Sequence, residues 1–158
     1  MVLAATIPTQ AASQEPVSLP RSEQFALHAA SGDEYRIFLS WPEVAPPPGG
    51  WPVLYVLDGN AAFATATEAA RFDTRALDDA VVVGVGYPVS TPLDVKRRMV
   101  DLSPAGATAN GARRPDDARG DQAERFLDFL LERVKPAVAE RVEVDETREA
   151  LFGHSLGG

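Results

Sequence analysis

The sequence predicts an α/β fold with a mostly parallel central sheet and an antiparallel hairpin at its N-terminal side. Three observations carry this. Val53–Leu57 and Ala80–Val85 are continuously apolar, the pattern of strands covered on both faces. Helical patterns separate them and follow them, giving the strand-helix-strand alternation of a parallel sheet. Two shorter segments ahead of them alternate with period two, as a half-covered hairpin does.

The elements follow in chain order. Residues 1–22 contain Pro and Ser and are expected to form a poorly ordered tail, with the domain running from 23 to 158. The opening "MVLAATIPTQAAS" has no Lys or Arg, so it reads as a loose tail rather than a signal peptide. In "EQFALHA", Phe25 and Leu27 alternate; in "EYRIFLSW", Tyr35, Ile37 and Leu39 share one face. "SGDE" between them is a turn, and "PEVAPPPGG" ends the hairpin in a loop. Asn60 caps a helix over Ala61–Phe72. Pro88 to Gly120 reads as irregular throughout, a length that points to a functional or mobile loop. Asp121 and Glu124 resemble a capping box for the next helix. Phe126, Phe129, Leu130 and Val134 fall on one side of it, with Leu127 and Leu131 beside them. Pro136 is expected to kink or divide that helix. "REALFG" is a short apolar strand running into glycines.

Composition narrows the function. A formal charge of -8 argues against nucleic acid, whose phosphates require clustered Lys and Arg. It also leaves no polybasic patch for an anionic membrane, and no apolar run is long enough to span a bilayer. The absence of cysteine excludes disulfides, thiolate metal sites and a cysteine nucleophile.

The chemistry concentrates at the end of the sequence. Gly153-His154-Ser155-Leu156-Gly157 is G-x-S-x-G, and "EALF" supplies the strand that a nucleophile elbow requires before its sharp turn. Such a turn lifts the serine Oγ clear of the sheet and aims the following N–H, here that of Leu156, at a developing oxyanion. The glycines are expected to be there because side chains would collide with the neighbouring strand and helix. The competing reading is a Gly-rich turn without chemistry. A phosphate loop is disfavoured, because no Lys accompanies the glycines. Ligands of parallel sheets bind at the carboxyl ends of the strands, where "LDGN", "GYP" and "GHSLGG" converge. An N–H of Gly59 or Asn60 would complete an oxyanion hole; equally, Asp58-Gly59-Asn60 is only a turn and a helix cap.

"PVLYVLDGNAAF", "VVVGVGYP", "RRMVDLSP", "FLDFLLERVKPAV" and "REALFGHSLGG", in that order, resemble the esterase D-like α/β-hydrolases, nearest their siderophore esterase branch. "GHSLGG" is shared by many hydrolases, whereas "VLDGN", "GYP" and R-x-x-D-x-[ST]-P together are more specific. The resemblance implies hydrolysis of a small-molecule carboxylic ester or siderophore lactone through an acyl-serine intermediate, without metal or cofactor. It implies Ser155 as nucleophile and Leu156 with Gly59 or Asn60 at the oxyanion hole. It sets Arg98 and Tyr87 as candidate substrate-binding residues. For Arg98 the bland alternative, a salt bridge to Asp101 or a solvated loop arginine, is preferred; Tyr87 either lines the pocket or packs under the loop. The same group includes acyltransferases, and relatives occur in both cytoplasm and periplasm.

One departure matters. In this fold the acid and the histidine follow the serine in the chain. The two histidines here are His28 and His154. His28 is expected on the first strand, away from the carboxyl edge of the sheet, and His154 adjoins the serine with its side chain diverging. Without a base a serine hydroxyl is a poor nucleophile. The sequence therefore reads as the N-terminal part of an α/β-hydrolase fold, truncated at the elbow and inactive alone, with a complementing C-terminal segment as a possible partner. A non-catalytic fragment is the other reading.

Overall fold

The computed structural model describes residues 16–72, 80–103 and 122–158. Strands β1 (Ser22–His28), β2 (Glu34–Ser40), β3 (Trp51–Leu57), β4 (Val81–Gly86) and β5 (Val144–Phe152) form one sheet in the order β1-β2-β4-β3-β5. β1, β2 and β4 pair antiparallel; β3 pairs parallel with both β4 and β5. The expected hairpin and parallel centre are both present. The chain joins the domain just ahead of Glu23: Ser22 Oγ donates to Leu19 O, and Trp41 N–H to Arg21 O at 3.1 Å.

Helices cover both faces. Tyr35, Ile37 and Leu39 of β2, Val53, Tyr55 and Leu57 of β3, and Val81, Val83 and Val85 of β4 point to one side. There they meet Phe126 and Phe129 of α3 (Gln122–Phe129) and Val138 of α4 (Lys135–Ala139). Val56 and Val82 point to the other side, against Phe63 and Ala70 of α1 (Gly59–Phe72). Period two in the strands thus serves two cores at once. Leu127 and Leu131 stand half in solvent, each 50% exposed.

The helix is divided ahead of Pro136, which stands in the first turn of α4. Leu130–Val134 form a wider π turn between α3 and α4, in which Lys135 N–H reaches back five residues to Leu130 O. A proline inside an α-helix lacks its N–H and presses on the carbonyl four residues back. One π turn is a known way for a helix to absorb such an irregularity. Asp121 of the expected capping box and residues 104–120 lie outside the described residues.

The segment after Pro88 is not irregular throughout. It contains helix α2, Val95–Asp101, whose N-cap Asp94 accepts the Arg97 N–H at 3.0 Å. Asp101, at its end, is 5% exposed and accepts the Tyr35 hydroxyl at 2.9 Å. Arg97 lies 4.4 Å over the Tyr35 ring and donates to Glu34 O at 2.7 Å. α2 is thereby locked onto β2. β5 is longer than the expected short strand and forms a sheet edge, with Leu151 57% and Phe152 49% exposed. Lys135 Nζ bonds Glu149 of β5 at 2.6 Å, and Tyr55 OH donates to the same carboxylate at 3.3 Å.

Burial pushes the Asp101 carboxyl above the usual carboxylate range, more than the Tyr35 hydroxyl and the Arg97 charge pull it down. The folded chain then holds this proton more tightly than the unfolded chain does. The resulting stability is fully present below the unfolded pKa and is lost as pH rises towards the folded one. The stability of the wild type relative to Asp101→Asn should therefore fall as pH increases from about 4, in urea titrations at several pH values. A pH-independent difference would show that Asp101 titrates alike in both states.

Candidate active site

β3 and β5 are adjacent and parallel, with Val56 opposite Phe152. The loops that leave them therefore emerge side by side at one edge. Beyond Phe152, His154 is extended (φ -124°, ψ 136°), and Ser155 then takes φ 58°. A left-handed serine costs on the order of 1–3 kcal/mol, the strain expected of a nucleophile elbow. The turn closes through Gly157 N–H to His154 O and Gly158 N–H to Ser155 O, each 3.1 Å. Ser155 is exposed.

The two elbow glycines are not equivalent. A Cβ on Gly153 would fall 1.7 Å from Gly157 O, so only glycine fits. A Cβ on Gly157 would meet side-chain atoms of Leu57 and Leu102 at 3.5 Å, an ordinary contact. The collision expected at both positions exists at the first alone.

Across from the elbow, β3 ends in Asp58, itself left-handed at φ 54°. Its carbonyl accepts the N–H groups of Ala61 and Ala62 at 2.9 and 3.1 Å. α1 thus begins two residues earlier than the expected Ala61, at Gly59. The first N–H groups of a helix have no acceptor within it, which makes those of Gly59 and Asn60 the available donors on this loop. Gly59 lies so close to β4 that a Cβ there would stand 2.8 Å from the Gly84 carbonyl carbon. The Asn60 side chain is a tie rather than a cap on its own helix. Its Oδ1 accepts Tyr87 N–H at 2.7 Å, and its Nδ2 donates to Tyr87 O at 3.0 Å and Val89 O at 3.2 Å.

Between elbow and helix lies a cavity of about 770 Å³. Leu54 and Leu57 of β3, Ala61 and Thr65 of α1, and Phe152 at the end of β5 give it a largely apolar lining, with Ser155, His154, Asp58 and Arg98 at its polar end.

The partner of Arg98 differs from the expected one, and Tyr87 takes the second of its two expected places. Arg98 is neither paired with Asp101 nor solvated. Its Nε and Nη2 bond the two Asp58 oxygens at 2.9 and 2.8 Å, with side chains 12% and 9% exposed. The Asp58 hydrogen bonds raise its pKa further, and its charge is already matched before any substrate arrives. Tyr87 is 3% exposed, packs against Tyr35 at 5.8 Å between ring centroids and is not among the cavity's lining residues. Burial, and then the Asp101 charge, raise its pKa. It packs under the loop as a core residue.

His28 is also placed differently. His28 pairs with Glu34 and Arg36 with Gly86, so His28 sits at the carboxyl edge of the sheet, not away from it. β1 nevertheless stands four strand positions from β5, roughly 19 Å at the usual spacing. Its Nε2 lies 3.7 Å from Glu34. His154 lines the cavity, yet no hydrogen bond joins either histidine to Ser155 among the described residues. Among those residues no group of His, Cys, Asp or Glu could hold a metal, and no helix is long and apolar enough to cross a membrane.

Known proteins are similar to this chain in sequence and fold. Residues 29–158 match the Esterase family model. The chain is 43% identical over 152 residues to the siderophore triacetylfusarinine C esterase of Aspergillus fumigatus, covering 90% of this chain and 50% of that protein. It is 39% identical over 132 residues to the ferri-bacillibactin esterase BesA of Bacillus subtilis, covering 78% and 45%. Among solved structures, the BES protein of Bacillus cereus superposes with a TM-score of 0.81 at 32% identity, over 92% of this chain and 58% of that one. The siderophore hydrolase EstB of Aspergillus nidulans superposes at 0.74 and 38%, over 91% and 52%. The chain spans about half the length of the curated relatives it matches. With the fold, the elbow and these matches together, the chain belongs to the esterase family of α/β-hydrolases.

Proposed function

We propose that the protein is a serine esterase for small siderophore-type esters, with Ser155 as nucleophile. The observation that carries this is Ser155 itself: left-handed at φ 58°, exposed, and at the mouth of an apolar cavity. The substrate class rests on the names of the relatives, which are esterases of siderophores. An apolar cavity of this size with one polar end is compatible with an aromatic acyl group.

In the proposed reaction Ser155 Oγ attacks the ester carbonyl carbon while a base takes its proton. The carbonyl oxygen becomes an oxyanion facing the N–H groups of Leu156 and of Gly59 or Asn60. The carbonyl re-forms as the C–O bond to the alcohol breaks, and the alcohol leaves with the proton. Water then attacks the acyl-serine and releases the acid. Among the described residues no hydrogen bond joins His28 or His154 to Ser155, and the base is assigned to a complementing C-terminal segment. The partner is a small-molecule ester; acidity of the chain gives nucleic acid no footing.

The 158-residue chain purified alone should turn over p-nitrophenyl esters negligibly, and Ser155→Ala should change that little. Robust serine-dependent hydrolysis by this chain would show that a base is already present. In the protein expressed from the complete reading frame that contains these residues, Ser155→Ala should abolish fluorophosphonate labelling and lower kcat by about 10⁴-fold or more. Labelling that persists in Ser155→Ala would remove Ser155 from the mechanism.

The glycine contrast gives a further test in the same protein. Gly153→Ala should reduce the labelling rate by about 100-fold, because displacing the turn misplaces Oγ. Gly157→Ala should stay within about threefold, since its methyl has room. Equal losses would mean that the turn tolerates or rejects both methyls alike.

A further inference from the structure

Asp58 and Arg98 make the most buried ion pair at the cavity, and the proposed reaction gives neither a chemical step. Both oxygens of Asp58 are taken, by Nε and Nη2 of Arg98 at 2.9 and 2.8 Å. A two-point bond of this kind fixes orientation as well as distance. It fixes a residue that needs fixing: Asp58 is left-handed at φ 54° and immediately precedes Gly59 and Asn60. Rotation of the Asp58 backbone would swing both N–H groups away from Ser155.

The other end of the pair is equally anchored. Arg98 belongs to α2, which Arg97 and Asp101 lock onto β2 through Glu34 and Tyr35. The residue after α2, Leu102, reaches the elbow; its Cδ1 would lie 3.5 Å from a Cβ on Gly157. One short helix therefore touches both halves of the site.

We propose that Asp58 and Arg98 are positioning residues that hold the oxyanion-hole loop in register with Ser155, a role that rests on the serine esterase reading above. Arg98 then acts through Asp58 and not by meeting the substrate.

The test uses p-nitrophenyl acetate, an uncharged ester, and the protein from the complete reading frame. Asp58→Asn and Arg98→Lys each keep shape but lose the two-point bond. Each should lower kcat by about 10-fold or more, as small misplacements of catalytic donors do, with KM within about threefold. The double variant should be no worse than the poorer single one, because both break the same bond. A rise in KM with kcat unchanged would overturn the proposal and make Arg98 a substrate contact. Additive losses, or none, would overturn it too. Should Asp58→Asn fail to fold, the split between kcat and KM in Arg98→Lys decides alone. If the wild type neither hydrolyses the ester nor takes a fluorophosphonate, the Ser155 reading fails and this one with it. Labelled variants with wild-type kcat sink only the positioning role.

Discussion

The parallel pairing of β3 with β5 is the contact on which the site depends. It sets Val56 opposite Phe152, so the next residues of each strand turn out of the sheet together. A slip of one residue would turn every β5 side chain to the opposite face and carry Ser155 along the edge. The pairing is parallel, so it cannot be made by a tight turn and must wait for a long crossover. That crossover includes α3 and α4, which spend their apolar side on Tyr35, Val83 and their neighbours. The core under α3 and α4 is thus also what delivers β5 to β3. Among the described residues β5 has one strand neighbour, and Lys135 reaching Glu149 from α4 adds a second attachment.

Polar groups do the finer placement because they are few and buried. An isolated buried carboxylate is costly, and each one here is matched. Asp58 has Arg98; Asp101 has the Tyr35 hydroxyl, with Arg97 close to that ring. All four partners meet around α2. A helix of seven residues has little stability of its own. Its place comes from these side chains, so the turn at Asp58 and the seat of α2 are tied to each other.

Strongly patterned elements were legible in the sequence. The runs Val53–Leu57 and Ala80–Val85 announced buried strands, and period two announced β2. α2 was not legible as a helix from hydrophobic periodicity, since "VKRRMVD" puts three cations among few apolar residues. Its signal was instead Asp94, a capping side chain three residues before the N–H that it accepts. The sharp turn at Ser155 and the turn into α1 at Gly59 and Asn60 were readable because each is a local sequence pattern. The partner of Arg98 was not, because Asp58 lies forty residues away and meets it only through tertiary packing. Asp101, three residues from Arg98, was the natural choice by helical spacing. Burial overrode it: Asp101 faces Tyr35 beneath the helix, and Arg98 faces the cavity. Tyr87 stayed open between two readings for the same reason, since a residue beside a loop can equally be its foundation, and burial selects the second.

For Ser155, the proposed nucleophile, placement and activation are separate requirements. Placement needs a strand register, a glycine whose Cβ would strike Gly157 O, and a neighbouring loop held at φ 54°. All of these are contacts between described residues. Activation of a serine needs a proton acceptor within hydrogen-bond reach of Oγ, and among the described residues no hydrogen bond joins either histidine to Ser155. The two requirements draw on different physics. Placement is paid in backbone strain and close packing, so it is built where the sheet is built. Activation needs one side chain at one distance, and any element that reaches the open side of the cavity can bring it.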